Sequence, residues 1–228
     1  DRLHNWTMAA GMILDRQPGE EALAPSRGSA DAGTNVRLQP GGVGVEERAA
    51  RTGTRPFTLW LTGLPRSGKS TIAYSIERIL FDRGLAVHVL DGEKLRRGIC
   101  SDLGFSGPDR EENLRRAAEI ARLTNDLGLI TIASFITPLE SDRALVGRIV
   151  GRERVLLVHC RASLEICEQR DEEGLFARAR AGELENVTGI DAPFEEPRRP
   201  DIVLETGREA AAANLARLTA ALEERGLL

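Results

Sequence analysis

The chain has 228 residues, 41% of them hydrophobic, with 31 Lys+Arg against 35 Asp+Glu and a formal net charge of −4. That is enough chain for one well-buried domain with an appendage, and its mild acidity offers no basic surface for nucleic acid or an anionic membrane. No apolar run reaches the length of a membrane span, and Cys100, Cys160 and Cys167 are odd in number and unclustered, which fits inert thiols in a reduced, cytoplasmic setting better than a disulfide or zinc framework.

In chain order, residues 7–14 read as a strand. Residues 15–44 are rich in Gly, Pro, Ala, Ser and charge without sustained periodicity, the composition of a flexible linker. A short helix over 46–51 leads into the core. From Phe57 strands and helices alternate. Strands are expected at 57–62, 86–90, 129–134, 155–159 and 201–204, and helices at 71–81, 110–127, 139–150, 164–170 and 209–225. Such alternation predicts an α/β fold, a parallel sheet with helices on both faces, whose ligands lie beyond the carboxyl ends of the strands. Gly63, Asp91 and Ser134 all follow such ends and should converge.

Gly63, Leu64, Pro65, Arg66, Ser67, Gly68, Lys69 and Ser70 spell G-x-x-x-x-G-K-S between a predicted strand and a predicted helix. In that setting the glycines turn several backbone N–H groups and the positive end of a helix toward one point, which suits a triphosphate. Residues Gly63 to Thr71 are the expected ATP-phosphate site. Lys69 would reach the β- and γ-phosphates, and the Ser70 hydroxyl would ligate the Mg²⁺ that accompanies ATP. Lys69 and Lys94 are the only lysines in a chain that otherwise uses arginine. A compact ammonium suits the loop better than a guanidinium fork.

Asp91 ends the second strand opposite this loop, within reach of a metal or an attacking hydroxyl. Taken alone, such a residue is more commonly the cap of a following helix, and its position opposite the phosphate loop reverses that preference. Arg96, Arg110 and Asn113 would form a polar, cationic wall suited to a second, anionic substrate.

The strings 91–98, 102–106, 109–116, 134–138, 167–171, 179–183 and 188–191 occur in register and together resemble adenylylsulfate kinase, a P-loop kinase family, over residues 45–228. The resemblance implies transfer of a phosphoryl group from MgATP to the 3′-hydroxyl of adenylyl sulfate, a homodimer, and a mobile lid from Arg170 to Asp191. It gives Lys69 and Asp91 catalytic roles and adds Arg170 to the ATP site. Adenylyl sulfate falls to Asp91, Arg96, Arg110 and Asn113, with Phe105 stacking on its adenine and Ile136 lining the same pocket. Thr137 stands where the family has a proposed phosphoacceptor serine, inessential for in-line transfer.

Departures from the family pattern are Pro65 and Arg66 in the loop, Glu93, Glu140, Ala177 beside Arg178, and Val187 in place of an aromatic that covers the acceptor adenine. They leave open an altered acceptor or a non-catalytic nucleotide-binding domain. Another possible cover for that adenine is Phe194. Residues 1–13 resemble the last strand of the GTPase-type large subunit of sulfate adenylyltransferase, implying fusion to or association with that enzyme.

Overall fold

The computed structural model describes residues 41–228. The strand expected at 7–14 and nearly all of the linker lie outside the described residues. The helix α1 (Val45–Thr52) precedes β1 (Thr58–Thr62), α2 (Lys69–Asp82), β2 (Val87–Asp91), α3 (Gly92–Arg96), α4 (Gly107–Asp126) and β3 (Ile130–Ser134). Then follow α5 (Glu140–Val150), β4 (Val155–Cys160), α6 (Leu164–Gln169), α7 (Leu175–Arg180), β5 (Ile202–Leu204) and α8 (Ala211–Glu224). The five strands form one parallel sheet in the order β2-β3-β1-β4-β5, as the alternating pattern requires.

Pleating sends alternate β1 side chains to opposite faces. Leu59 and Leu61 pack with Ile72, Ile76 and Leu80 of α2 and Leu218 and Leu222 of α8. Trp60 faces the other way, toward Leu114, Ala117, Ala118 and Ala121 of α4 and Val146 and Val150 of α5, and stacks on Phe135 with ring centroids 5.2 Å apart. Small alanines on α4 let that helix lie close to the sheet. Each fully buried Leu or Ile contributes about 1.5–3 kcal/mol, so the two faces supply most of the drive to fold. A third, smaller cluster joins Cys167 of α6 and Phe176, Ala179 and Val187 of the segment after it with Leu64 of the loop after β1. Among the described residues no helix is long and apolar enough to cross a membrane.

One helix was not anticipated, α7, which lies inside the expected lid; α3 is the helix Asp91 was read as capping, given no bounds because its five residues are too few for a periodic pattern. The remaining boundaries move by up to three residues. The largest shift is at α4, which starts at Gly107 because Ser106 caps it, accepting from Asp109 N, and Pro108 occupies its first turn.

The start of β1 is pinned by fully buried Asn125 of α4. Its Nδ2 donates to the carbonyls of Phe57 (3.1 Å) and Leu129 (3.0 Å), and its Oδ1 accepts from Thr58 Oγ1 at 2.8 Å. Asn125→Ala strands those buried partners and should lower unfolding stability by about 1–3 kcal/mol in denaturant titration, without altering ligand affinity.

Candidate active site

The carboxyl ends of β1, β2 and β3 meet at one cleft of 1050 Å³, large enough for two nucleotide-sized ligands by comparison with ordinary pockets of about 300–1,000 Å³. The turn from β1 begins at Gly63, whose φ is +148°. A Cβ there would stand 2.5 Å from the Cys160 carbonyl oxygen and 2.7 Å from Ser67 Oγ, so a side chain is excluded. Gly68, at φ +92°, caps α2, and the first intrahelical bond runs from Ile72 N to Gly68 O at 3.0 Å. The amides of Lys69, Ser70 and Thr71 precede that bond and form the positive end of the helix.

Ser70 Oγ lies 3.1 Å from Asp91 Oδ2 and 3.2 Å from Ser134 Oγ, so the three strand ends converge as expected. Asp91 fills both roles the sequence offered it. Its Oδ1 caps α3 by accepting from Glu93 N at 2.9 Å, while Oδ2 faces Ser70. These oxygens are hard donors of the kind Mg²⁺ takes, and the described residues hold no cluster of three or more His, Cys, Asp or Glu side chains for an all-protein metal cage. Ser70 and Asp91 therefore fit a Mg²⁺ ion carried in with nucleotide phosphates.

Lys69 is buried and turned back on its own loop. Its Nζ donates to the carbonyls of Leu64 (2.7 Å) and Gly63 (3.0 Å). Reaching a β- or γ-phosphate requires exchanging these carbonyls for phosphate oxygens. Burial pushes its pKa down to about 8. Burial likewise pushes the Cys160 thiol up to about 12, consistent with an inert cysteine. All three cysteines are free and buried.

Across the cleft, Arg96 Nη1 donates to the carbonyls of Gly104 (2.7 Å) and Leu103 (3.3 Å), and its guanidinium lies 4.2 Å from the centroid of the Phe105 ring. Phe105 remains 58% exposed at the cleft mouth. Arg110 Nε donates to Phe105 O at 2.9 Å, its Nη1 to Thr188 Oγ1 at 2.9 Å, and its Nη2 to Asn186 O. It thus ties α4 to the segment over the cleft. Burial first, then repulsion from Arg96, lowers its pKa. Asn113 is buried in the same wall with no partner for its Oδ1. Ile136 lines the cleft, and its carbonyl accepts from Thr62 Oγ1 (2.6 Å) and Gly63 N (3.4 Å). Arg170 also lines the cleft and donates to Thr206 O at 2.8 Å.

Four more positions singled out in the sequence have clear surroundings. Thr137 is buried, and its hydroxyl accepts from Trp60 Nε1 at 2.8 Å. Val187 borders the cleft but is buried in the Cys167–Phe176–Ala179 cluster, where apolar contact inside the covering segment claims its side chain. Phe194 does not line the cleft; its ring lies 6.2 Å from that of His159. Glu140, a departure from the family pattern, accepts from Arg198 N at 2.8 Å and so helps hold the end of the covering segment.

Sequence reasoning missed Thr206, Glu209 and Asn214, which complete the cleft wall near Gly68. Thr206 follows the end of β5, so the strand-end rule could have found it. Asn214 precedes Leu218 and Leu222 at four-residue spacing, a polar residue in the inward stripe of α8.

A parallel sheet in this order, with a glycine-bounded loop leading into α2 and an oxygen-rich cluster at its foot, defines a P-loop kinase. The chain belongs to the adenylylsulphate kinase family, whose model matches residues 55–205. The adenylyl-sulfate kinase of Prochlorococcus marinus is 45% identical over 174 residues, which are 76% of this chain and 87% of that protein. The bifunctional enzyme CysN/CysC of Rhodopirellula baltica is 44% identical over 214 residues, 93% of this chain and 33% of its own length, so the chain spans about a third of that relative. Among solved structures, the Mycobacterium tuberculosis APS kinase CysC in complex with AMPPNP and APS is 41% identical with a TM-score of 0.72, over 75% of this chain and 99% of that one.

Two predictions follow from Lys69 and Val187. Because the folded-state pKa of Lys69 lies below its ordinary 10.5, the folded chain holds fewer protons than the unfolded one between about pH 8 and 10.5. The cost of burying its charge is complete below pH 8 and is relieved as pH rises through that window. Phosphates favour the charged amine. ATP binding at pH 8.5 should therefore take up a proton, seen in calorimetry as a heat that varies with buffer ionisation enthalpy and vanishes in Lys69→Met. For Val187, a larger ring overfills its cluster. Val187→Phe should destabilise the fold by about 1–3 kcal/mol in thermal melts and leave affinity for adenylyl sulfate no better.

Proposed function

We propose that the P-loop end of the cleft holds MgATP, that the Phe105 end holds adenylyl sulfate, and that the γ-phosphoryl group passes between them. The acceptor is the 3′-hydroxyl, and the products are 3′-phosphoadenylyl sulfate and ADP, a step of sulfate assimilation. The observation that carries this reading is that Ser70 Oγ lies within 3.2 Å of both Asp91 Oδ2 and Ser134 Oγ at the foot of the loop, opposite the wall of Arg96, Arg110 and Asn113.

The roles follow from chemistry and position. Amides from Gly63 to Thr71 cradle the phosphates, and Lys69 trades its loop carbonyls for phosphate oxygens, where its charge matches charge building in the transition state. Ser70, with Asp91 beside it, holds the metal; when bound, Mg²⁺ neutralises the β- and γ-phosphate oxygens. Asp91 Oδ2 is placed to accept the proton of the attacking hydroxyl, since Oδ1 is spent on the α3 cap. Arg96 and Arg110 supply positive charge for the acceptor's sulfate and phosphate groups. Phe105 offers an aromatic face, one side of which Arg96 already covers. Arg170 stands over the nucleotide end. The segment that carries Asn186 and Thr188 acts as a lid that excludes water.

Residues 1–14 are assigned to the end of a sulfate adenylyltransferase large subunit. In support, the match to the bifunctional relative, 214 residues long, exceeds what residues 45–228 can hold.

A coupled assay of ADP release tests the kinase reading. ADP should appear rapidly only with adenylyl sulfate present, and Lys69→Ala should fall by about 10²–10³-fold while its circular dichroism spectrum is unchanged. ADP release indifferent to adenylyl sulfate would point to another acceptor, and absence of turnover would point to a binding domain.

A further inference from the structure

Arg66 sits in the middle of the phosphate loop with φ +61°, a left-handed backbone that non-glycine residues keep only where their surroundings hold it. What holds it is the root of the lid. Arg66 Nε donates to Asp171 Oδ1 at 3.3 Å, and Nη2 donates to Glu173 Oε2 at 2.5 Å. The two pairs are unequal. The Glu173 side chain is 80% exposed, and such an ion pair contributes little. The Asp171 side chain is 3% exposed, and its second oxygen, Oδ2, accepts the N–H of Phe176 at 2.9 Å in the first turn of α7. Phe176 is itself buried against Leu64 of the phosphate loop in the third apolar cluster. One carboxylate therefore carries the loop's guanidinium on one oxygen and the lid helix on the other. The residue before it is Arg170, which faces the nucleotide end of the cleft.

We propose that Arg66 is a positioning residue for phosphoryl transfer: acting through Asp171, it fastens the lid root to the phosphate loop and so sets Arg170 and α7 over the bound ATP. This rests on the kinase reading above. The guanidinium serves by its forked geometry as well as its charge, so lysine replaces it only in part.

The test uses the full chain and four variants: Arg66→Ser, Asp171→Asn, their double mutant, and Arg66→Lys. Two readouts are taken, steady-state kinetics with adenylyl sulfate and trypsin cleavage at Arg178 and Arg180 without nucleotide. Arg66→Ser and Asp171→Asn should each raise the KM for ATP about three- to tenfold, with kcat moving less, as loss of one partly buried ion pair implies. The double mutant should be no worse than the poorer single mutant. Cleavage within α7 should quicken in both single mutants, and Arg66→Lys should recover part of each effect.

If Asp171→Asn leaves the KM unchanged or lowers it while Arg66→Ser raises it, Arg66 acts directly on the phosphates and the proposal fails. It fails equally if the two losses add in the double mutant, or if Arg66→Ser alters neither KM nor cleavage. Should Asp171→Asn melt early through loss of its α7 bond, the comparison of Arg66→Ser with Arg66→Lys decides, since Arg66 lies on a partly exposed loop. Failure of the kinase reading is separable: it appears as wild-type ADP release that ignores adenylyl sulfate, while the cleavage readout still reports whether Arg66 fastens the lid.

Discussion

At the exit of β1 there is room at Gly63 for a hydrogen and nothing larger, because the chain presses against the carbonyl of Cys160 on β4 and against Ser67 of its own loop. That contact fixes where the loop turns and therefore where α2 begins. Ser70, in the first turn of α2, is brought to Asp91 and Ser134 only because the turn is this tight. The sheet contributes the other half of the constraint. Parallel strands in register leave all their carboxyl ends on one edge, with Asp91 opposite Ser134 and Thr62 opposite His159. The oxygen cluster, the helix dipole and the cationic wall all take their places from these two conditions.

Buried polar bonds then keep that edge from shifting. Thr62 Oγ1 donates to Ile136 O, the Trp60 indole donates to Thr137, and Arg143 Nη1 donates to Thr137 O at 2.8 Å. Thr137 is held at φ +45° in the middle of this set. Removing the Thr137 hydroxyl would leave the buried Trp60 indole N–H unpaired, which is costlier than the bond itself is favourable. The site is therefore rigid beneath and adaptable only in what covers it.

The strands, the crossover helices and the phosphate loop were readable because each rests on local periodicity or a fixed spacing. Asp91 shows where such reading stops. Capping and facing the phosphate loop looked like rivals in one dimension, yet a carboxylate has two oxygens and does both. The packing around Val187 was hidden for a different reason: the cluster that buries it draws on residues from Leu64 to Ile190 with no common period, so only three dimensions reveal it. The carbonyls that hold Lys69 belong to the backbone and leave no mark on residue identity. Asn214, by contrast, was legible in principle as the polar member of an apolar helical stripe.

The covering segment is gripped unequally at its margins. On the return side, the Arg143 guanidinium is buried and donates Nη2 to Glu195 O at 2.7 Å, while Glu195 N bonds to Pro138 O at 2.8 Å. On the outgoing side, the grip is an ion pair made by an arginine that keeps contact with water. Mobile counter-ions weaken the second kind of bond and scarcely touch the first. The cover is thus a door with a hinge post and a latch, and dissolved salt works on the latch alone.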